Sequence, residues 1–311
     1  MSNFQVANQS PPGTGGNPFT GNDIRHLFAY LKANGLKQQL KDLHKRSWIK
    51  PTLVLLMDIM SIAFGVYLCI AISMWFLPIS CLILGSRQRA FVVLSHEASH
   101  HSLFPNRIVN DCVARFFLCP AMFLDFVTFC NEHSQHHKYL GDPELDTDYF
   151  HPAGGVRGGW FKFYLKHLLS LKNWKASGIF GAMHYVKIRQ RCGIGLWWSA
   201  LLAILLFSIG LQATLLFAAL WIFSRMTVHH AIITFVILSD HVGLCPGGTI
   251  LKFARNHTSK SLLSRFLHPH NNGYHLTHHL LPGVPCYKLA EAHSLLLDWQ
   301  PYREAAHCDS W

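Results

Sequence analysis

The chain has 311 residues, half of them hydrophobic and only 14% charged, whereas an ordinary soluble domain carries about 25% charged residues, so the composition argues against a water-soluble globular fold. The net charge of +11 comes from bases spread along the chain rather than gathered into one basic domain, which argues against a nucleic-acid-binding module. Nine cysteines without a CxxC pair signal neither a thiolate zinc site nor a disulfide framework, and they suit a reducing cytosol.

Residues 1–22 are rich in Gly, Pro, Asn and Ser. They lack the basic start and apolar run of a signal peptide, so the expectation is a disordered tail ahead of a single domain over 23–311. A basic stretch over 23–50 leads into residues 51–84, which are apolar apart from Asp58 and a few small polar residues. About 20 helical residues cross a bilayer core. This run therefore predicts a hairpin of spans near 51–72 and 74–95, with its outer turn near 71–78. Residues 193–238, apolar except for Arg225, His229 and His230, predict a second hairpin, with spans near 193–211 and 214–238 and an outer turn near 210–214. Between the hairpins, residues 158–191 interleave aromatic side chains such as Trp160, Tyr164 and Trp174 with Lys162, Lys166 and Lys175, a mixture suited to helices lying in the headgroup layer.

Sidedness follows from the fixed positive charges, because Lys and Arg flanking a span stay on the cytoplasmic side. Seven lie over 25–50, thirteen over 87–191 and six from Lys252 onward, and none falls in either proposed outer turn. The expected fold is an all-α integral membrane protein. Four transmembrane helices in two hairpins place both termini and a helical cap in the cytosol, in a bacterial inner membrane or the endoplasmic reticulum.

The 22 histidines are clustered. His96 and His100 share one helical face at i and i+4. His133, His136 and His137 stand at i, i+3 and i+4, a spacing that lets all three point at one centre, and His275, His278 and His279 repeat it. By the expected topology all eight imidazoles lie on one side of the membrane. That exceeds the four ligands of a closed zinc site or the three of an open catalytic one, so two metals fit the count better than one. Imidazole suits zinc, copper, iron and nickel alike and does not name the metal.

The segments SHEASHHSLFPN, EHSQHH and NNGYHLTHHLLPGVPCYKLAEAH resemble the three histidine boxes of the membrane fatty acid desaturases, and the resemblance extends over about residues 49–297. It implies a centre of two iron ions with dioxygen as co-substrate, completed by a histidine after the fourth span, here His241 in Ser239-Asp240-His241. The implied ligand set is His96, His100, His133, His136, His137, His241, His275, His278 and His279. His101 stands where the family usually has a small residue and is left out. Asp240 and Asn271 are candidates to orient imidazoles through their other ring nitrogen, and the acidic run Asp142, Glu144, Asp146 and Asp148 reads as a solvated turn. His229, His230, His268, His270, His293 and His307 receive no functional role.

Breaking an unactivated C–H bond lies beyond side-chain acids and bases, so such chemistry falls to a cofactor such as iron with dioxygen. The resemblance implies an oxidase that introduces a double bond into a fatty acyl or similar lipidic chain. A hydroxylase or ketolase of a carotenoid or other hydrocarbon is the alternative. The electron donor is expected to be a separate protein of ferredoxin or cytochrome b5 type, since the run HPAGG at 151–155 reads as a chance likeness to a haem-binding turn. His96-Glu97-x-x-His100 also satisfies the zinc-protease pattern HExxH, which leaves both HxxHH sets unexplained. A metal or proton transporter would place its histidines in mid-span, whereas these flank the spans.

Overall fold

The computed structural model describes residues 18–150, 156, 159–184, 186–247 and 249–309. The expected tail lies outside the described residues as far as 17, as does the HPAGG run at 151–155; residues 18–22 already belong to helix α1 (Pro18–Ala33), which α2 (Lys37–Leu43) follows.

The first apolar run folds as α3 (Ile49–Tyr67) and α4 (Leu77–Ser99). A π-helical turn at Leu68–Ile72 and a 3-10 turn at Met74–Phe76 join them. The chain becomes extended at Ser73, whose hydroxyl accepts from the Trp75 N–H, inside the window where the sequence places a turn. Beyond it α4 runs unbroken to Ser99, so one continuous rod carries His96 and leads directly into His100.

The next segment has no counterpart in the sequence reading. Helix α5 (Arg107–Val113), a π turn at Ala114–Leu118 and α6 (Cys119–Ala121) meet α7 (Phe126–Lys138) at a bend of 97°. Asp125 starts α7 by accepting from the Thr128 N–H at 2.9 Å, as N-cap residues do. Helices α8 (Trp160–Leu168), α9 (Leu171–Ser177) and α10 (Ile179–His184) follow.

The second apolar run forms α11 (Ile188–Ser224), a π turn at Arg225–His229 and α12 (His230–His241). Helix α11 is interrupted at Gly210, whose φ of 81° and ψ of 169° only glycine adopts readily, and this break falls in the second expected turn. Tyr164 donates to Ala231 O at 3.2 Å and Trp174 Nε1 to Met226 O at 2.7 Å, so the aromatic and basic helices lean on this run while Phe161, Leu169 and Leu171 stay exposed.

The C-terminal part comprises α13 (Ile250–Phe253), β1 (Arg255–His257), α14 (Leu262–Leu267), α15 (His275–Leu280), α16 (Leu289–Leu296), α17 (Gln300–Arg303) and β2 (Ala306–Cys308). Strands β1 and β2 pair in parallel, with Arg255 opposite Ala306. This is a small departure from the all-helical expectation.

Among the described residues, three helical stretches are long and apolar enough to cross a membrane: Ile49–Ile72, Met74–Ser99 and the 54-residue Ile188–His241. Their outer faces leave the large apolar side chains Met57, Met60, Phe64, Ile204 and Phe207 exposed. The two largest cores among the described residues lie inside. One joins α3, α4, α11 and the 97° bend through Leu84, Phe91, Leu118, Met122 and Trp221. The other joins α1, α2, α13 and α15 to α17 through Leu27, Leu31, Phe253, Leu276 and Tyr302.

One buried carboxylate clamps the first hairpin to the C-terminal part. Asp58 of α3 accepts from Arg87 Nη1 of α4 at 2.7 Å and from His270 Nε2 at 2.8 Å, and His270 sits in the left-handed region at φ 57° just before α15. Removing one partner from a buried ionic cluster leaves uncompensated charge. Asp58→Ala is therefore expected to lower stability by about 3 kcal/mol, seen as a clear fall in the melting temperature of the detergent-solubilised protein; an unchanged melting temperature would show that the clamp carries no load.

Candidate metal centre

The nine histidines singled out from the sequence gather into two adjacent groups. His96, His100, His133, His137 and His278 form one, and His136, His241, His275 and His279 the other; within each group one nitrogen from every ring lies within 4.8 Å of the rest. Helix α4, rooted in the first core, supplies His96 and ends immediately before His100. Helix α7 supplies His133, His136 and His137, α12 ends on His241, and α15, rooted in the second core, supplies the last three.

The spacing HxxHH permits three rings to face one centre, but the structure divides each set. An α-helix turns about 100° per residue, so the i and i+4 rings share a face while the i+3 ring points away from its i+4 neighbour. His133 and His137 accordingly join the first group and His136 the second, whereas His275 and His279 join the second and His278 the first. The two HxxHH helices thus exchange their middle histidines.

The ring nitrogens fit a metal. His100 Nε2 faces His133 Nε2 at 2.8 Å, His278 Nε2 faces His137 Nε2 at 3.1 Å, and His275 Nε2 faces both His241 Nε2 at 2.9 Å and His279 Nε2 at 3.0 Å. Ligands about 2.1 Å from a cation and at right angles to one another stand roughly 3 Å apart, so these separations are edges of a coordination polyhedron. A single N–H shared between two rings does not explain His275, whose one nitrogen meets two others. Burial first, and then the crowd of neighbouring imidazoles, pushes His278 and His279 well below the ordinary histidine pKa. They are therefore unprotonated, the form that binds metal.

Partners behind the rings fix their orientation. His136 Nδ1 donates to Asp146 Oδ1 at 2.7 Å, and Asp146 Oδ2 also accepts from the Gly141 N–H at 2.8 Å. His241 Nδ1 donates to Phe253 O at 2.7 Å. Each bond consumes the Nδ1 proton and turns a bare Nε2 toward the group, as at metal-ligating histidines generally. Asp240 lies 3.8 Å from His275 Nδ1 and 3.3 Å from His257 Nε2. On the far side of α15, Asn256 Oδ1 accepts from the Thr277 N–H at 3.1 Å, and Tyr302 OH meets Thr277 Oγ1 at 2.6 Å.

Two sequence expectations need correction. The acidic run 142–148 is more than a solvated turn: Asp142 does cap it, accepting from the Glu144 N–H at 2.9 Å, but Asp146 is buried and anchors His136. Its signal in the sequence was an acid ten residues after the middle histidine of the set. Asn271 orients no imidazole; its Nδ2 donates to Cys286 O at 3.2 Å. Asn256 and Tyr302 had no sequence signal at all.

Four of the other histidines contact neighbouring protein groups instead. His101 stands apart from both groups, with Nδ1 3.1 Å from Asp111 Oδ1. His230 Nε2 donates to Leu168 O at 2.9 Å, His293 Nδ1 lies 2.7 Å from Tyr302 OH, and His307 Nε2 donates to Tyr302 O at 2.7 Å. Glu97, the general base that a protease reading requires, is buried, and its Oε2 accepts from Ser102 Oγ at 3.0 Å and from the Cys286 N–H at 2.7 Å.

Residues 72–311 match the sequence profile of the family described as Fatty acid desaturase. The chain belongs to this family. Among curated relatives of this desaturase-family chain is a dihydrorhizobitoxine desaturase of Bradyrhizobium elkanii, 27% identical over 76% of this chain and 72% of the relative. An sn-1 oleoyl-lipid 12-desaturase of Arthrospira platensis is 24% identical over 77% and 74%. A chloroplastic omega-6 fatty acid desaturase of Glycine max is 22% identical over 82% of this chain and 64% of its own length. This member of the desaturase family is thus an oxidoreductase with apolar, membrane-compatible helices and two histidine groups able to bind metal.

Loss of a hydrogen-bonded partner behind a metal-ligating histidine typically costs 10- to 100-fold in metal affinity. Asp146→Ala is expected to weaken metal retention by about that factor in a chelator competition, with helical content unchanged by circular dichroism; unaltered retention would detach Asp146 from the centre.

Proposed function

We propose that this chain is an oxygen-dependent di-iron oxidase that introduces a double bond into a fatty acyl or similar lipidic chain. The observation that carries the reading is the exchange of middle histidines: two groups of imidazoles, sharing both HxxHH helices, stand side by side and each could hold one metal ion. Desaturase names among the relatives favour iron and an alkene product.

His96, His100, His133, His137 and His278 would hold one ion and His136, His241, His275 and His279 the other. Bound iron with dioxygen would supply the oxidising power that no side chain here has. Two hydrogens leave adjacent carbons, two electrons and two protons come from the donor side, and dioxygen leaves as two waters. The chain's own part is geometry. Asp146 and the Phe253 carbonyl hold two rings in the donor tautomer, and the Asn256–Thr277–Tyr302 contacts keep α15 in place. The buried walls around His278 and His279 exclude water that would quench an oxidising centre.

The membrane arrangement belongs to the same proposal. Four spans in two hairpins, broken at Ser73 and Gly210, would keep both termini and all three histidine clusters cytosolic, over a single domain from residue 23 to 311. A lipidic chain then enters from the bilayer while a separate electron donor, ferredoxin or cytochrome b5, docks from the cytosol.

Expression in a host lacking the activity should yield a lipid lighter by two hydrogens, detected by mass spectrometry, and His136→Ala should abolish it while the protein still inserts in the membrane. A product heavier by one oxygen would reassign the chain to hydroxylation, and full activity in His136→Ala would remove the second group from the site.

A further inference from the structure

The apolar bundle holds a second set of nitrogen-bearing side chains that the histidine groups do not use. Arg89 of α4, with Arg225 and His229 of the π turn, is deeply buried, at 7%, 3% and 3% exposure respectively. Arg89 Nε, Arg225 Nε and Nη1, and His229 Nδ1 have no hydrogen-bond partner among the described residues. The Arg225 guanidinium lies 5.9 Å from the Phe123 ring, and no carboxylate among the described residues pairs with it. Arg89 feels the charges of Asp240 and Asp148 without an ion pair to either.

These groups share one place. Gly85, one turn before Arg89 on the same face of α4, leaves room for the π turn: a Cβ there would lie 2.5 Å from Val228 Cβ. His229 follows on that turn, within electrostatic range of both Arg89 and Arg225. His96 lies seven residues beyond Arg89, two helical turns or roughly 10 Å along the axis.

Buried unpaired guanidinium is costly, and charged residues inside apolar spans as a rule mark a substrate or ion pathway. We propose that Arg89, Arg225 and His229 form a subsite for a carboxylate at the end of the substrate, held two helical turns from the histidine groups. A guanidinium fork matches a carboxylate in a bidentate way, and the apolar wall at Phe123 and Trp221 suits the hydrocarbon attached to it. The inference rests on the desaturase reading and narrows it. The substrate is a free acid whose charged end is swallowed by the protein, rather than an ester whose head group stays at the surface.

The test is binding of octanoate and of octanol to the purified full-length protein in detergent, by calorimetry, with sodium chloride and inorganic phosphate as further probes. Wild type is expected to prefer octanoate to octanol by about tenfold or more, the scale of a charge-assisted contact. Arg225→Gln should erase that preference, leave octanol binding unchanged and raise the melting temperature of the ligand-free protein, since an unpaired buried charge is gone. A merely structural arginine would instead lower it. Arg89→Gln gives the same readout should Arg225→Gln fail to fold. Equal affinity for octanoate and octanol in wild type, a preference that survives both substitutions, or equal stabilisation by chloride or phosphate would overturn the proposal. Binding needs no turnover, so its failure leaves the desaturase reading intact, whereas absence of any alkene product would strike that reading alone.

Discussion

Neighbouring residues on an α-helix point about 100° apart, and the whole centre is arranged around that constraint. In this fold His136 and His137 do not aim at one point, nor do His278 and His279, so each consecutive pair reaches into both groups. The two short helices α7 and α15 therefore act as bridges between two coordination sites. A displacement of either helix would disturb both sites at once, which explains why so much buried polar structure is spent on holding them: Asp125 and Asp146 on α7, and Asn256 and Tyr302 against α15.

Rigidity is supplied from two directions. Helix α4 is a continuous rod from the turn at Met74–Phe76 to His96, packed in the first core through Leu84, Phe91 and Leu94, and α15 is anchored in the second core through Leu276 and Leu280. Asp58 ties the two together at the turn before α15. The centre sits where these cores meet, and burial with the surrounding imidazoles holds His278 and His279 well below the ordinary histidine pKa, with no acidic ligand in either group.

Much of this was legible in the residues. Apolar run lengths located the breaks at Ser73 and Gly210, and the recurrence of HxxHH located the rings that the fold gathers. What stayed hidden depended on tertiary direction. The turn around Asp142 and Asp146 has the local chemistry of any solvated loop, and only the heading of α7 brings Asp146 under His136. The bent pair α5 to α7 escaped because its apolar stretch, Phe116 to Leu118 with Cys119 and Ala121, is short and carries Arg115 beside it. Strand β1 needs β2, some fifty residues distant in the chain, and three-residue strands leave no periodic trace.

The central claim is that two metal ions lie side by side, one in each histidine group. Anomalous diffraction at the iron absorption edge from crystals of the metal-loaded protein addresses it directly. Two iron peaks are predicted, one ringed by His96, His100, His133, His137 and His278 and the other by His136, His241, His275 and His279. A single peak, or two peaks that persist at the zinc edge and vanish at the iron edge, would contradict the account.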